Sequence, residues 1–150
     1  MGVAAFSMAQ TREALDRLDA LRSNDPSGES FFSSHPDEPF FVKNLETVQG
    51  DERDVVMVRI GYGRAADGRV DLNFGPLSRE GGERRLNVLI TRARRRWEVF
   101  TNMTEEDIDL ERTQSQGVRA LRTFLAFAHR GVLEIEPEDF ATGENTEPVT

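Results

Sequence analysis

Val55-Val56-Met57-Val58-Arg59-Ile60 is the stretch that decides the fold. An almost continuous β-branched run of this length suits a strand covered by helices on both faces, as in parallel sheets. Working outward, Phe40-Phe41-Val42-Lys43 before it, Glu98-Val99-Phe100-Thr101 after it and Val3-Ala4-Ala5-Phe6 at the start read as further strands. Helical patterns lie between them. Ser7 stands at an N-cap position with Gln10 three residues on, a capping-box pattern, and Leu15, Leu18 and Leu21 follow on an apolar stripe, which predicts a helix from about residue 8 to 22. A second helix is expected from Glu83 to Arg95, with Leu86, Leu89, Ile90, Ala93 and Trp97 on one side and Arg85, Arg92 and Arg96 on another. Val118, Leu121, Leu125 and Ala128 mark a last helix that Gly131 ends. Strands alternating with helices predict a three-layer α/β/α sandwich around a mainly parallel sheet.

The connections carry their own signals. Residues 23–39 are rich in turn formers, residues 44–54 are too polar for core, and the Gly-rich stretch 61–82 contains Asp67-Gly68, which suits a small hairpin. Residues 1–133 make one domain, and 134–150 form an acidic tail with two prolines that is expected to lose order. Entry straight into a strand reads as the edge of a piece cut from a longer chain.

At 150 residues the chain fits one domain with a genuine core. It has no run of about 18 apolar residues and no signal-type start, so a cytoplasmic protein without membrane partners is expected. Cysteine is absent, which excludes disulfides, thiolate metal sites and a cysteine nucleophile. His35 in a turn-rich loop and His129 in a helix's last turn lack ligand-like spacing and are assigned to structure. The formal charge of -8 argues against a freestanding DNA binder. Positive charge is concentrated, however: residues 61–100 carry 9 basic and 5 acidic side chains, against 6 and 11 in residues 1–60 and 4 and 11 in residues 101–150.

Two segments are more specific than composition. Gln49-Gly50-x-Glu52-x-Asp54 ahead of the apolar strand, and Arg85-Leu86-Asn87-Val88-Leu89-Ile90-Thr91-Arg92-Ala93-Arg94 some thirty residues on, resemble motifs V and VI of superfamily 1 helicases. The likeness is to the branch that includes the helicases of nonsense-mediated mRNA decay and of Okazaki-fragment processing. Val3 to Gln10 resembles motif IV, so the resemblance covers about residues 3 to 130. Gly61-Tyr62-Gly63-Arg64, Asn73-Phe74-Gly75-Pro76-Leu77 and Glu80 to Arg85 resemble a prokaryotic subgroup.

This resemblance implies the second, C-terminal RecA-like motor domain of an ATP-dependent DNA or RNA helicase, with the fold of P-loop NTPases. ATP would sit in a cleft shared with the N-terminal RecA-like domain of the same parent chain. That partner would supply the P-loop, Mg2+ and the attacking water, because neither a Gly-x-x-x-x-Gly-Lys-Ser/Thr loop nor a Walker B carboxylate is found here and Lys43 is the only lysine. This chain alone is accordingly expected to be inactive.

Particular residues inherit roles from the same resemblance. Arg92 matches the arginine finger, whose fork can stabilise charge on the departing γ-phosphate, and it is expected to point from its helix towards the carboxyl-end rim of the sheet. Gln10, Arg12, Gly50 and Glu52 match or neighbour nucleotide-contacting positions. Thr11 stands where many relatives carry a second arginine, leaving Arg12 as the candidate. Asn44 and Thr47 match positions that hold the phosphates of a single strand of DNA or RNA, although side chains capping a local turn account for them equally well. Gln10 as a capping-box member, Gly50 as a plain turn glycine and Glu52 as a loop carboxylate paired with Arg53 or a helix terminus are the corresponding structural roles. Phe40, Phe41 and Phe74 are available for base stacking, with Phe40 and Phe41 assigned to the core. The competing function is a catalytically silent RecA-like module that docks protein or nucleic acid.

Overall fold

Strands β1 (Gly2–Ala5), β2 (Phe41–Asn44), β3 (Arg53–Ile60) and β4 (Ala93–Thr101) form one sheet in the order β2-β1-β3-β4. Every neighbouring pair is parallel in this computed structural model, which describes residues 1–131. Pairing register sorts the side chains. Ala4, Val56, Val58, Trp97 and Val99 share one face, while Ala5, Asn44, Met57, Arg59 and Phe100 share the other.

Helix α1 (Met8–Asn24) lies over the second face, where Asn44 contacts Met8 and Arg59 Nη2 stands 3.2 Å from Glu13. The short helix α2 (Glu29–Ser33) falls within the long connection to β2. Helices α3 (Gly82–Ile90) and α4 (Gln116–Arg130) pack together on the first face, and the ring centroids of Trp97 and Phe124 are 5.1 Å apart. The chain steps one way from β1 through α1 to β2 and the other way from β3 through α3 to β4. Right-handed crossovers then put the two helices on opposite faces, which yields the three-layer α/β/α sandwich.

Local chemistry closes the helices where the sequence suggests. Ser7 Oγ accepts the Gln10 N–H at 3.2 Å, and Gly131, at φ 71°, donates its N–H to the Phe127 carbonyl at 2.8 Å. Asp67-Gly68 closes the small hairpin, bridged at Arg64 and Val70. Phe41 is core, and half-buried Phe40 sits edge-on against Phe31 and Phe32. No described helix is long and apolar enough to cross a membrane. The expected acidic tail, 134–150, lies outside the described residues.

Four expectations are corrected. The arginine-rich helix stops at Ile90, and Ala93 to Trp97 belong to β4. The Arg92 N–H bonds to the Leu89 carbonyl, the Arg53 N–H bonds to the Arg92 carbonyl, and pairing with β3 captures the chain that would otherwise continue the helix. Trp97 therefore packs from a strand, and Arg85, Arg92 and Arg96 do not share a helix face. On α1 the inward positions are Thr11, Ala14 and Leu18, at helical spacing, so Leu15 and Leu21 are turned out, at 40% and 66% exposure. Phe74 is fully buried edge-on beneath Tyr62, which removes it as a stacking platform. The fourth correction is the rim of the sheet that carries Arg92, which is a property of the site.

One buried acid gives the fold a measurable pH dependence. The Glu105 side chain is 8% exposed, and its Oε1 accepts from Arg130 Nη2 at 2.8 Å. A backbone hydrogen bond, with Arg130 and His129 adding to it, holds this carboxyl below the ordinary glutamate value despite burial. A depressed carboxyl contributes stability that is complete above the unfolded pKa of about 4.3 and lost as pH falls through the folded value. Glu105→Gln is therefore expected to lower the melting temperature at neutral pH and to converge with wild type by about pH 2. A deficit of constant size across a pH series of thermal melts would exclude this account.

Candidate functional site

Topology sets where each candidate residue stands. In a parallel sheet, a residue between a helix and the strand after it must lie at the amino end of the strands. Arg92 occupies such a position, between α3 and β4, and so faces the amino-end rim rather than the carboxyl-end rim expected for it. Glu52, which leads into β3, comes to that same rim, and the backbone bond from Arg53 N–H to the Arg92 carbonyl, at 3.0 Å, ties the two segments together, while Gly50 lies in the preceding turn, where the Asp51 N–H bonds to the Val48 carbonyl and the Val48 N–H to the Asn44 carbonyl at the end of β2. The two stretches singled out in the sequence therefore meet.

Within the run from Arg92 to Arg96, the arginines differ in what they hold. Arg94 bonds Glu38 through both Nη atoms at 2.7 Å and Asp54 through Nε at 2.9 Å, and this raises its pKa further. Arg95 stands 3.9 Å from Asp54, and Arg96 stands 2.8 Å from Glu98. Arg92 meets no carboxylate among the described residues. Its Nε donates to the Val88 carbonyl and its Nη2 to Thr91 Oγ1, both at 2.9 Å, while its Nη1 has no partner among the described residues. Two neutral acceptors fix the plane of the guanidinium, half-buried at the end of α3, without neutralising its charge. Such a group can present N–H donors to an incoming anion at little reorganisation cost.

Glu52 is exposed, and it is not paired with Arg53. Arg53, 6% exposed, instead donates to the Pro39 carbonyl from both Nε and Nη2 and to the Glu52 backbone carbonyl from Nη1. The Glu52 carboxylate is thus open to a hydroxyl donor. Gly50 has φ 89°, a left-handed conformation that accounts for glycine by the turn alone.

Gln10, Asn44 and Thr47 occupy the opposite rim. Gln10 uses its side-chain amide to reach the Gly61 carbonyl just past β3 instead of returning to Ser7, and its Oε1 is buried without a hydrogen-bond partner among the described residues. From Arg53, level with Ala93, to Gly61 is eight residues, about 26 Å at ~3.3 Å per residue. The structure therefore does not bring Gln10 together with Arg92 and Glu52. Arg12 is exposed on the outer side of α1, beside Glu13, Asp16 and Arg17. Asn44 is 4% exposed, and its Oδ1 accepts the Glu46 and Thr47 N–H groups at 2.9 and 3.0 Å, so its side chain is engaged in the local turn. Thr47 is exposed but shares that turn through Oγ1.

The carboxyl-end rim also holds a clamp that the sequence did not suggest. Asn102 bonds both the N–H and the carbonyl of Tyr62, at 3.2 and 2.9 Å, and Arg64 forks onto Asp107 at 2.6 and 2.9 Å. Burial against Phe74 pushes the Tyr62 hydroxyl up to about 12. These partners are some 40 residues apart in sequence, and no local spacing rule connects them.

An α/β sandwich on a four-stranded, wholly parallel sheet is consistent with a RecA-like domain. The chain is related to proteins that carry the name of ATP-dependent helicases. It is 43% identical over 90 residues to the "Uncharacterized ATP-dependent helicase MG140" of Mycoplasma genitalium, and 42% identical over 87 residues to that protein's homolog in Mycoplasma pneumoniae. These matches cover 60% and 58% of this chain, which spans only 8% and 7% of the respective relatives. No protein-family profile and no solved structure matches it.

Proposed function

We propose that this chain is the C-terminal RecA-like motor domain of a superfamily 1 helicase or translocase, with Arg92 as its arginine finger. The observation that carries the reading is the contrast within one arginine run: Arg94, Arg95 and Arg96 face carboxylates, while Arg92 is held by two neutral oxygens and keeps Nη1 uncommitted among the described residues. As water attacks the γ-phosphorus and the bond to the β,γ-bridging oxygen breaks, negative charge spreads over the transferring group. The guanidinium donates to those oxygens and lowers the barrier. Glu52 accepts a ribose hydroxyl at the same rim, and Gly50 lets the backbone turn beneath the sugar.

Magnesium would be held by the partner domain in this reading, which would supply the P-loop hydroxyl and the Walker B carboxylate. When bound, the ion polarises the β- and γ-phosphates. Single-stranded DNA or RNA would run over both motor domains, with Thr47 as this domain's freer phosphate contact.

Nucleic-acid-stimulated ATP hydrolysis by the intact parent protein, measured beside this chain alone, is the direct test. Stimulated turnover is expected in the former and negligible turnover in the latter. A parent without ATP turnover would instead favour the silent docking module. One observation leans that way: Thr11, where many relatives carry a second arginine, is 7% exposed with its hydroxyl bonded to the Ser7 carbonyl at 3.0 Å.

A further inference from the structure

The way α3 ends decides how Arg92 is held. In a continuing helix the Arg92 N–H would bond the Val88 carbonyl four residues back, but it bonds the Leu89 carbonyl at 3.0 Å, a tightened last turn. The Val88 carbonyl is thereby left to side chains, and two of them take it. Thr91 Oγ1 donates to it at 3.0 Å and Arg92 Nε at 2.9 Å. A threonine hydroxyl has a single proton. With that proton on Val88, the Thr91 oxygen meets Arg92 Nη2 as an acceptor, at 2.9 Å. Three hydrogen bonds thus close a ring through Val88, Thr91 and Arg92.

The ring grips one edge of the guanidinium, Nε together with Nη2, and so turns the Nη1 end away from the helix. Val88 alone would hold the group at one point, about which the plane could pivot. Thr91 is itself well placed for the second point. Its N–H is fixed on the Asn87 carbonyl at 3.0 Å, and branching at Cβ restricts its χ1. Every partner comes from a single turn of chain, so the arrangement moves with α3 as a unit and is in place before a nucleotide arrives.

We propose that Thr91 is the positioning residue for Arg92, an inference that rests on the reading of Arg92 as the arginine finger. The hydroxyl sets the direction of the fork and does not itself touch the nucleotide. A threonine that only bonds back to its own helix end would behave differently: its removal would weaken the helix terminus whether or not an arginine followed it.

The test is nucleic-acid-stimulated ATP hydrolysis by the intact parent protein, read below the melting transition of every variant. Thr91→Val keeps the shape and the Cβ branch and removes the hydroxyl. It is expected to lower kcat by about 10- to 100-fold, the scale of a misplaced catalytic group. KM for ATP should stay within about two-fold of wild type, because the contact matters only as the γ-phosphate leaves. Thr91→Ser, which restores the hydroxyl, is expected to recover most of the rate. In an Arg92→Ala background Thr91→Val should add no further loss, since the two residues act as one unit. Wild-type kcat in Thr91→Val beside a crippled Arg92→Ala would overturn the positioning role and leave the finger standing. Losses that multiply in the double variant would overturn it too, because Thr91 would then act without Arg92. Wild-type turnover in Arg92→Ala would remove the finger and this inference together.

Discussion

Arg92→Ala in the intact parent protein is expected to reduce kcat for ATP hydrolysis by about 10³- to 10⁵-fold, the range measured for arginine fingers. Binding of ATP should change little, since the finger acts on charge that develops only as the γ-phosphate leaves. The same substitution removes two hydrogen bonds at the end of α3, at a cost of about 1 kcal/mol each. That would lower the melting temperature but leave enough folded protein for turnover to be read. Arg92→Lys is expected to lose most of the rate as well, because an ammonium cannot hold Val88 and Thr91 and still present a fork. Arg96→Ala is the control: that side chain is 65% exposed and already faces Glu98, and its loss should leave kcat within a few-fold. Turnover by Arg92→Ala at the wild-type rate would end the assignment, whatever happened to stability.

The parts of this molecule that could be read from sequence are those set by neighbours along the chain. Ser7 and Gly131 specify helix ends through their own backbone and side-chain bonds, and the run Val55 to Ile60 specifies a buried strand through its own composition. The boundary at Arg92 could not be read in this way. Leu86, Leu89, Ile90, Ala93 and Trp97 keep helical spacing, no proline or glycine interrupts them, and arginine and alanine favour helices. The helix stops because β3 offers Ala93 to Thr101 a ladder, a long-range gain that outweighs local propensity. The rim occupied by Arg92 is a consequence of that same boundary. Gln10 and Glu52 resemble residues of one nucleotide site, yet one lies in the first turn of α1, just after β1, and the other just before β3. Only the parallel register reveals that they stand at opposite ends of the sheet.

Gly117→Ala is expected to destabilise the fold by about 3 kcal/mol or more, through overpacking that the neighbouring backbone cannot relieve. A Cβ at Gly117 would lie 2.0 Å from the Leu77 carbonyl oxygen and 2.9 Å from the Gly82 backbone, and one at Gly82 would lie 1.8 Å from that same oxygen. Three backbones converge here: the turn Gly75–Ser78, the start of α3 and the start of α4. Leu77 is fully buried and Ser115 Oγ donates to its carbonyl at 3.4 Å, so the oxygen has little room to retreat. The added methyl must force the two helices apart, and α3 is the element whose far end carries Arg92. Gly28→Ala provides the contrast, since Gly28 is helical at φ -80° with no atom within 4 Å of the new methyl. There alanine should leave stability unchanged or raise it by up to about 1 kcal/mol, by restricting the unfolded chain. Urea unfolding of both variants separates the two effects. If Gly117→Ala melted with Gly28→Ala, the three-way backbone contact would not be what holds α3 and α4 in place.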